Sequence, residues 1–263
     1  MNSLVRGSFA LATLLACMIT TASAQTTVGL WRMGEDDPGA VSGNALNSTL
    51  TASVGTNLTY SGSGGNYTNF TPGSGSPLAV NLGGSAHYET ASNLGLSTNF
   101  AIETWVMFSN LDTTQWVALA GFGASSGVGL LFEESNDTLR GAKSGTGYFA
   151  SSPALSTGTW YHAAIVVNEN SVASFYFNGS LVAGTTTIGS LASNFSIGGD
   201  ENASAHLVGM VDHTRVFTFN TGTFSPSMFT YPASAIPEPS TYAVLLGLAA
   251  LGGAWWQRRR RAV

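Results

Sequence analysis

Apolar residues along this chain come in short bursts rather than at helical spacing. Between residues 25 and 232 no amphipathic 3.6-residue period runs for a useful length. The recurring unit is a short run of β-formers, alternating or fully apolar, bounded by Gly, Ser, Asn or Asp. Runs at 28–33, 78–82, 100–108, 117–122, 128–132, 160–167, 172–177, 181–186, 195–197 and 207–217 predict strands. Stretch 100–108 is apolar on both faces apart from Glu103 and Thr104, the pattern of a central strand. Asn178-Gly179 separates two strand-like runs, and this pair tolerates the positive φ angles of a tight hairpin, so its flanks pair antiparallel. The Ser/Thr/Gly/Asn-rich stretch 43–76 is too long for a structureless loop, and short strands are expected near 50–54 and 57–60. Many short strands punctuated by turns predict an all-β sandwich or jelly roll.

Composition narrows the setting. Charged residues make up 9% of 263 and glycine is abundant at 32, which suits an exported β-protein with a hydroxyl and amide surface. The formal charge of −5 understates the body. Between residues 25 and 235 the only bases are Arg32, Arg140, Lys143 and Arg215, against all the carboxylates except Glu238, a balance near −9. Such a body has no basic patch for phosphates, which excludes nucleic acid as a partner, and it leaves little scope for ion pairing.

The two ends read as addresses. Residues 1–24 have Arg6, an apolar core from Phe9 to Ile19, and Ala22-Ser23-Ala24, the pattern of a secretory signal cleaved by signal peptidase between Ala24 and Gln25. A competing lipobox-like Leu14-Leu15-Ala16-Cys17 would make Cys17 a lipidated N-terminus instead. Cys17 is the only cysteine, so a chain beginning at Gln25 has no disulfide, thiolate metal site or cysteine nucleophile. Its stability must come from a core. At the other end, Pro237-Glu238-Pro239 precedes an uncharged run, Tyr242 to Trp256, and then Arg258, Arg259, Arg260 and Arg261. As a helix that run would reach roughly 22 Å, and flanking residues including Trp255-Trp256 would complete a span of about 30 Å. The arginines hold that end in the cytoplasm, which puts the rest of the chain across the membrane.

This order and terminal position resemble the PEP-CTERM protein-sorting signal of Gram-negative bacteria. The resemblance implies an exosortase as processing partner. The protein would cross the inner membrane, be held briefly by its C-terminal helix, and then pass to the cell surface or extracellular matrix. The body carries a second resemblance. Phe100-Ala101-Ile102-Glu103-Thr104-Trp105-Val106, Trp160-Tyr161-His162-Ala163-Ala164 with Phe175-Tyr176-Phe177-Asn178-Gly179, and Ile197-Gly198-Gly199 with the run from Gly209 to Phe217 are similar, in order, to strands of concanavalin A-like, laminin G-like domains. Gly29-Leu30-Trp31-Arg32-Met33-Gly34-Glu35 fits their first strand. This resemblance implies an all-β, two-sheet antiparallel jelly-roll sandwich, and the expected layout is a signal peptide (1–24), a laminin G-like jelly roll (25–224), a linker (225–235) and the sorting signal (236–263).

The same family resemblance implies glycan or protein binding, and a structural Ca²⁺ tying the first and last strands. Glu35 and Asp212 occupy the matching positions and supply the hard oxygens Ca²⁺ prefers. Retaining glycoside hydrolysis needs two carboxyl groups about 5 Å apart in one cleft. The Glu-x-Asp-x-x-Glu pattern of laminarinase-type relatives does not occur here. Adjacent Glu133-Glu134 point to opposite faces of a strand, and Glu35-Asp36-Asp37 reads as a solvated turn. His162 and His213 read as isolated strand histidines. No catalytic residue is assigned. Trp116, Tyr148 and Trp160 are candidate platforms for a sugar ring, although Trp160 is read first as a core residue. The leading expectation is a noncatalytic, carbohydrate-binding or adhesive matrix protein. A structural matrix component without a ligand is the alternative, and a glycoside hydrolase or lyase comes third.

Overall fold

A computed structural model describes residues 25–69, 77–111, 117–122, 127–133, 136–143, 147–189, 191, 194–199 and 206–230. The signal peptide with Cys17 and Ala24, the sorting motif at Pro237, Glu238 and Pro239, and the arginines 258–261 lie outside these residues, as do Trp116 and Glu134. Among the described residues no helix is long and apolar enough to cross a membrane.

The described chain is an all-β sandwich. One sheet runs β14 (Ser180–Thr187), β13 (Val172–Phe177), β12 (Trp160–Val167), β7 (Phe100–Phe108), β16 (Gly209–Phe219), β5 (Leu78–Asn81) and β4 (Asn66–Asn69), with β1 (Gln25–Trp31) also paired to β16. The second runs β11 (Gly147–Ser151), β10 (Thr138–Lys143), β9 (Val128–Glu133), β8 (Val117–Phe122), β15 (Phe195–Ile197), β6 (Ala86–Glu89), β3 (Leu58–Gly62) and β2 (Thr49–Leu50). Neighbours β12 and β16 flank β7 antiparallel, so the strand with the longest two-faced apolar run is indeed central.

Alternation sets the faces. Phe100, Ile102, Val106 and Phe108 of β7 point inward with Ile165 of β12 and Val211 and Val216 of β16. They meet Leu119, Leu130, Phe132, Leu139, Phe195 and Ile197 from the second sheet. Trp31 bridges the layers: its ring stacks on Phe195 at 5.2 Å and its Nε1 donates to the Thr56 carbonyl at 3.0 Å.

Strands 100–108, 117–122, 160–167, 172–177 and 195–197 have the predicted bounds, and the hairpin turns at Asn178 and Gly179, with φ of 47° and 77°. β1 stops at Trp31 rather than at residue 33, because Met33 and Gly34 take positive φ and swing the chain into a turn. β4, β6, β10 and β11 carry no strong apolar signature. Asn-Tyr-Thr-Asn and Thr-Leu-Arg-Gly-Ala-Lys are strands because neighbours pair with them.

After Phe219 the chain turns back across the outer face of the first sheet. A 3-10 turn, Pro226–Met228, is capped by Ser225, whose Oγ accepts from the Ser227 amide. Met228 and Phe229 are buried there against Ala101, Ala164, Val166, Phe217 and Phe219, a second apolar cluster outside the sandwich. Residues 225–230, expected to begin a linker, are therefore docked on the sheet through Met228 and Phe229. β14 forms the other edge and is mostly exposed.

Replacing Trp31 by Ala removes the inter-sheet stack and should cost roughly 3–5 kcal/mol. A lower urea midpoint at unchanged m is the expected reading.

Candidate functional site

Three groups of polar side chains stand out. The first contains the predicted Glu35 and Asp212. Asp212 lies on β16 at a bulge, where pairing with β7 shifts between Asp212 and Arg215 and His213 takes a φ of 49°. Its carboxylate has no solvent exposure; Oδ1 accepts from the His213 amide at 2.7 Å, and Oδ2 has no hydrogen-bond partner, with His213 Nδ1 at 3.9 Å. Glu35 sits in the turn after β1, accepts from the Leu78 amide at 3.0 Å, and is near enough for its charge to act on Asp212. Burial pushes the Asp212 carboxyl up to about 6; His213 opposes the rise and Glu35 adds to it. The His213 imidazole is raised by the Asp212 carboxylate, against its own burial.

The turn itself is not solvated as expected. Asp37 is buried and accepts from the Thr51 amide at 2.6 Å and the Tyr67 hydroxyl at 2.7 Å. Asp36 forms a two-point pair with Arg32, at 2.5 and 3.1 Å, which holds its carboxyl below the usual range. These carboxylates knit the segments 49–53 and 66–69 to the first strand.

The second group lies on the outer face of the second sheet. Pairing registers align Glu89, Ser196, Gly121, Gly129, Ala142 and Tyr148 in one row crossing six strands. The middle four are no larger than serine. A Cβ on Gly121 would lie 2.5 Å from the Gly129 Cα, so backbone alone makes the centre of this floor. One bank holds Glu89 and His87, whose ring stacks on His206 at 5.2 Å. The other holds Arg140, whose guanidinium lies 3.5 Å over the Tyr148 ring and is ion-paired with Glu133. Asn136 also donates to Glu133, at 3.1 Å. Tyr148 is 49% exposed. The sequence did not single out Arg140 and His87. The available signal was a base inside a strand in a chain with so few.

The third group sits on the outer face of the first sheet. Glu103, at the middle of β7, accepts from Arg215 Nε at 2.6 Å and contacts His162 Nε2 at 2.8 Å. His162 is therefore a fully buried partner of a carboxylate, not an isolated histidine. Trp160, assigned to the core, is half-buried instead, because the register with Met107 places it on the outer face.

The architecture defines a jelly-roll sandwich of the lectin type. The family model for the concanavalin A-like lectin/glucanases superfamily matches residues 82–227, more than half of the chain, and the chain belongs to that superfamily. A second model, for the PEP-CTERM protein-sorting motif, matches residues 235–261. That motif implies export, surface sorting in a Gram-negative bacterium and processing by exosortase. A comparison with curated proteins gave no match. Among solved structures, domain 4 of AbnA, a GH43 extracellular arabinanase from Geobacillus stearothermophilus seen with arabinotriose, is similar at a TM-score of 0.51 and 19% identity, covering 65% of this chain and 84% of that one. A Trypanosoma rangeli sialidase mutant displaying trans-sialidase activity gives 0.54 at 15% identity, covering 76% of this chain and 31% of that one. The sialidase from the same organism in complex with sialic acid gives 0.50 at 16%, again over 76% and 31%. The chain thus spans about a third of the sialidases, and at these identities the likeness is one of fold.

The raised Asp212 sets a pH dependence. Between about pH 4, where a free Asp titrates, and about 6, the native state keeps a proton that the unfolded chain has lost. Stability therefore falls as pH rises through that window. The raised His213 acts in the same direction, contributing below about 6.5 and losing that contribution as pH rises through its folded value. Asp212→Asn should flatten the fall, on the order of 2 kcal/mol, when urea midpoints are compared from pH 4 to 7.

Proposed function

We propose that the protein is a noncatalytic, glycan-binding component of the cell surface or extracellular matrix, exported and then released by exosortase. The observation that carries this reading is the floor of small residues crossing the second sheet between Tyr148 and Glu89. Its ends are five strand spacings apart, about 24 Å at roughly 4.8 Å each, room for a short oligosaccharide. Tyr148, stiffened from beneath by Arg140, offers an apolar ring to a sugar face. Glu89, partly exposed at the far bank, offers carboxylate oxygens to its hydroxyls.

Among the described residues, carboxylate placement supports the noncatalytic part. Register puts Glu89 and Glu133 on this face, three strands and four residues apart, or roughly 20 Å. Retaining and inverting hydrolysis need separations of about 5 to 9.5 Å. Glu103, Asp212 and Asp37 are buried.

A structural Ca²⁺ at Glu35 and Asp212 belongs to the same reading. The buried Asp212 Oδ2 without a hydrogen-bond partner suits a hard cation, and Glu35 would add a second anionic oxygen. Among the described residues no group of three acidic or histidine side chains could hold a metal, the neighbouring His213 included, so backbone carbonyls would have to complete the shell.

Two measurements test these points. On a glycan array, residues 25–230 should bind an extracellular polysaccharide, with Tyr148→Ala lowering affinity about tenfold, as for loss of a stacked ring worth roughly 1–2 kcal/mol. Binding to no glycan, or release of reducing ends from the bound one, would overturn the reading. At pH 8, added Ca²⁺ should raise the melting temperature of the native chain and not that of Asp212→Asn. Equal melting with Ca²⁺ and with chelator removes the metal.

A further inference from the structure

The Glu103 cluster is more than a buried ion pair, because it is completed by the chain's own C-terminal segment. The Thr230 amide donates to both Glu103 oxygens, at 3.2 and 3.1 Å. Arg215 Nη2 donates to the Met228 carbonyl, and Trp105 Nε1 to the Thr230 carbonyl at 3.4 Å. Phe229 packs its ring against His162 at 5.2 Å and Tyr176 at 5.3 Å. Glu103 and His162 are fully or almost fully buried beneath this strap. Lifting it would leave a buried carboxylate short of donors and uncover the apolar cluster around Phe217. Docking of the strap and folding of the first sheet are thereby coupled.

Thr230 is seven residues before Pro237. At about 3.3–3.6 Å per extended residue, the docked strap keeps the sorting motif within about 25 Å of the domain. With the strap undocked, the tether would begin at Phe219 and reach about 65 Å. We propose that the Glu103–His162–Arg215 cluster is a docking site for residues 224–230. By shortening the tether, it restrains access of the membrane protease to the Pro-Glu-Pro motif. A protease must enclose extended chain on both sides of the bond it cuts, and a folded body held close obstructs that approach. This inference rests on the exosortase reading above.

The test follows processing of the full chain by pulse-chase in a Gram-negative host that carries an exosortase. Two variants lengthen the tether by different means. Phe229→Ala loosens the strap, and a ten-residue Gly/Ser insertion after Thr230 leaves it docked. Both should be processed several-fold faster than the native chain, the insertion without change in the melting temperature of the domain. Unchanged or slower processing of the insertion variant overturns the proposal, even if Phe229→Ala is accelerated, because that pattern reports loosened folding rather than reach. A third chain with Pro237, Glu238 and Pro239 all replaced by Ala should remain unprocessed in the membrane. Its processing would sink the sorting reading itself, whatever the other two show.

Discussion

A carboxylate without water anchors the first sheet. Glu103 sits at the centre of the central strand, and an uncompensated charge there would cost several kcal/mol. Arg215 from β16, His162 from β12 and the Thr230 amide converge on it. Three strands and the returning strap are held in register by one group. Apolar packing defines the inner face of this sheet, but a single polar requirement defines what must cover the outer one.

The same economy extends to the other charges. The body has four bases, and each has a defined partner: Arg32 on Asp36, Arg140 on Glu133 and Tyr148, Arg215 on Glu103, and the Lys143 ammonium on the Thr187 carbonyl. A charge-poor sequence was expected to make little use of ion pairs. The structure corrects this: two of the pairs are buried, where desolvation makes a missing partner costly. An exposed pair such as Arg32–Asp36 adds only a few tenths of a kcal/mol.

Much of the sandwich was legible because period-two patterning is a local property. Strands such as 160–167 and 172–177 announce themselves by β-branched and aromatic residues, and Asn178-Gly179 by its turn chemistry. β10 and β4 do not, since their extended form comes from partners far along the chain. Glu35 and Asp212 are candidates only through their match to a family; in the structure the Glu35 charge adds to the rise of the Asp212 carboxyl. The cluster around Glu103 was not legible. Its members are 59 and 112 residues apart from Glu103, and only sheet pairing makes them neighbours. Aspartates 36 and 37 look alike in sequence, yet one is paired at the surface and the other is buried under Tyr67.

The adjacent glycines at 121 and 129 have a bearing on what kind of surface the second sheet can become. Neither side of this contact has room for a Cβ that the other backbone does not obstruct. The centre of the floor, between Ser196 and Ala142, is therefore main chain, and its level there is set by strand spacing. Substitution at His87, Glu89, Arg140 or Tyr148 can alter the chemistry of the rims, and loop changes can alter their height. The bed between them stays where the hydrogen-bond ladder puts it. Such a surface can diversify its preferences while keeping one geometry of approach.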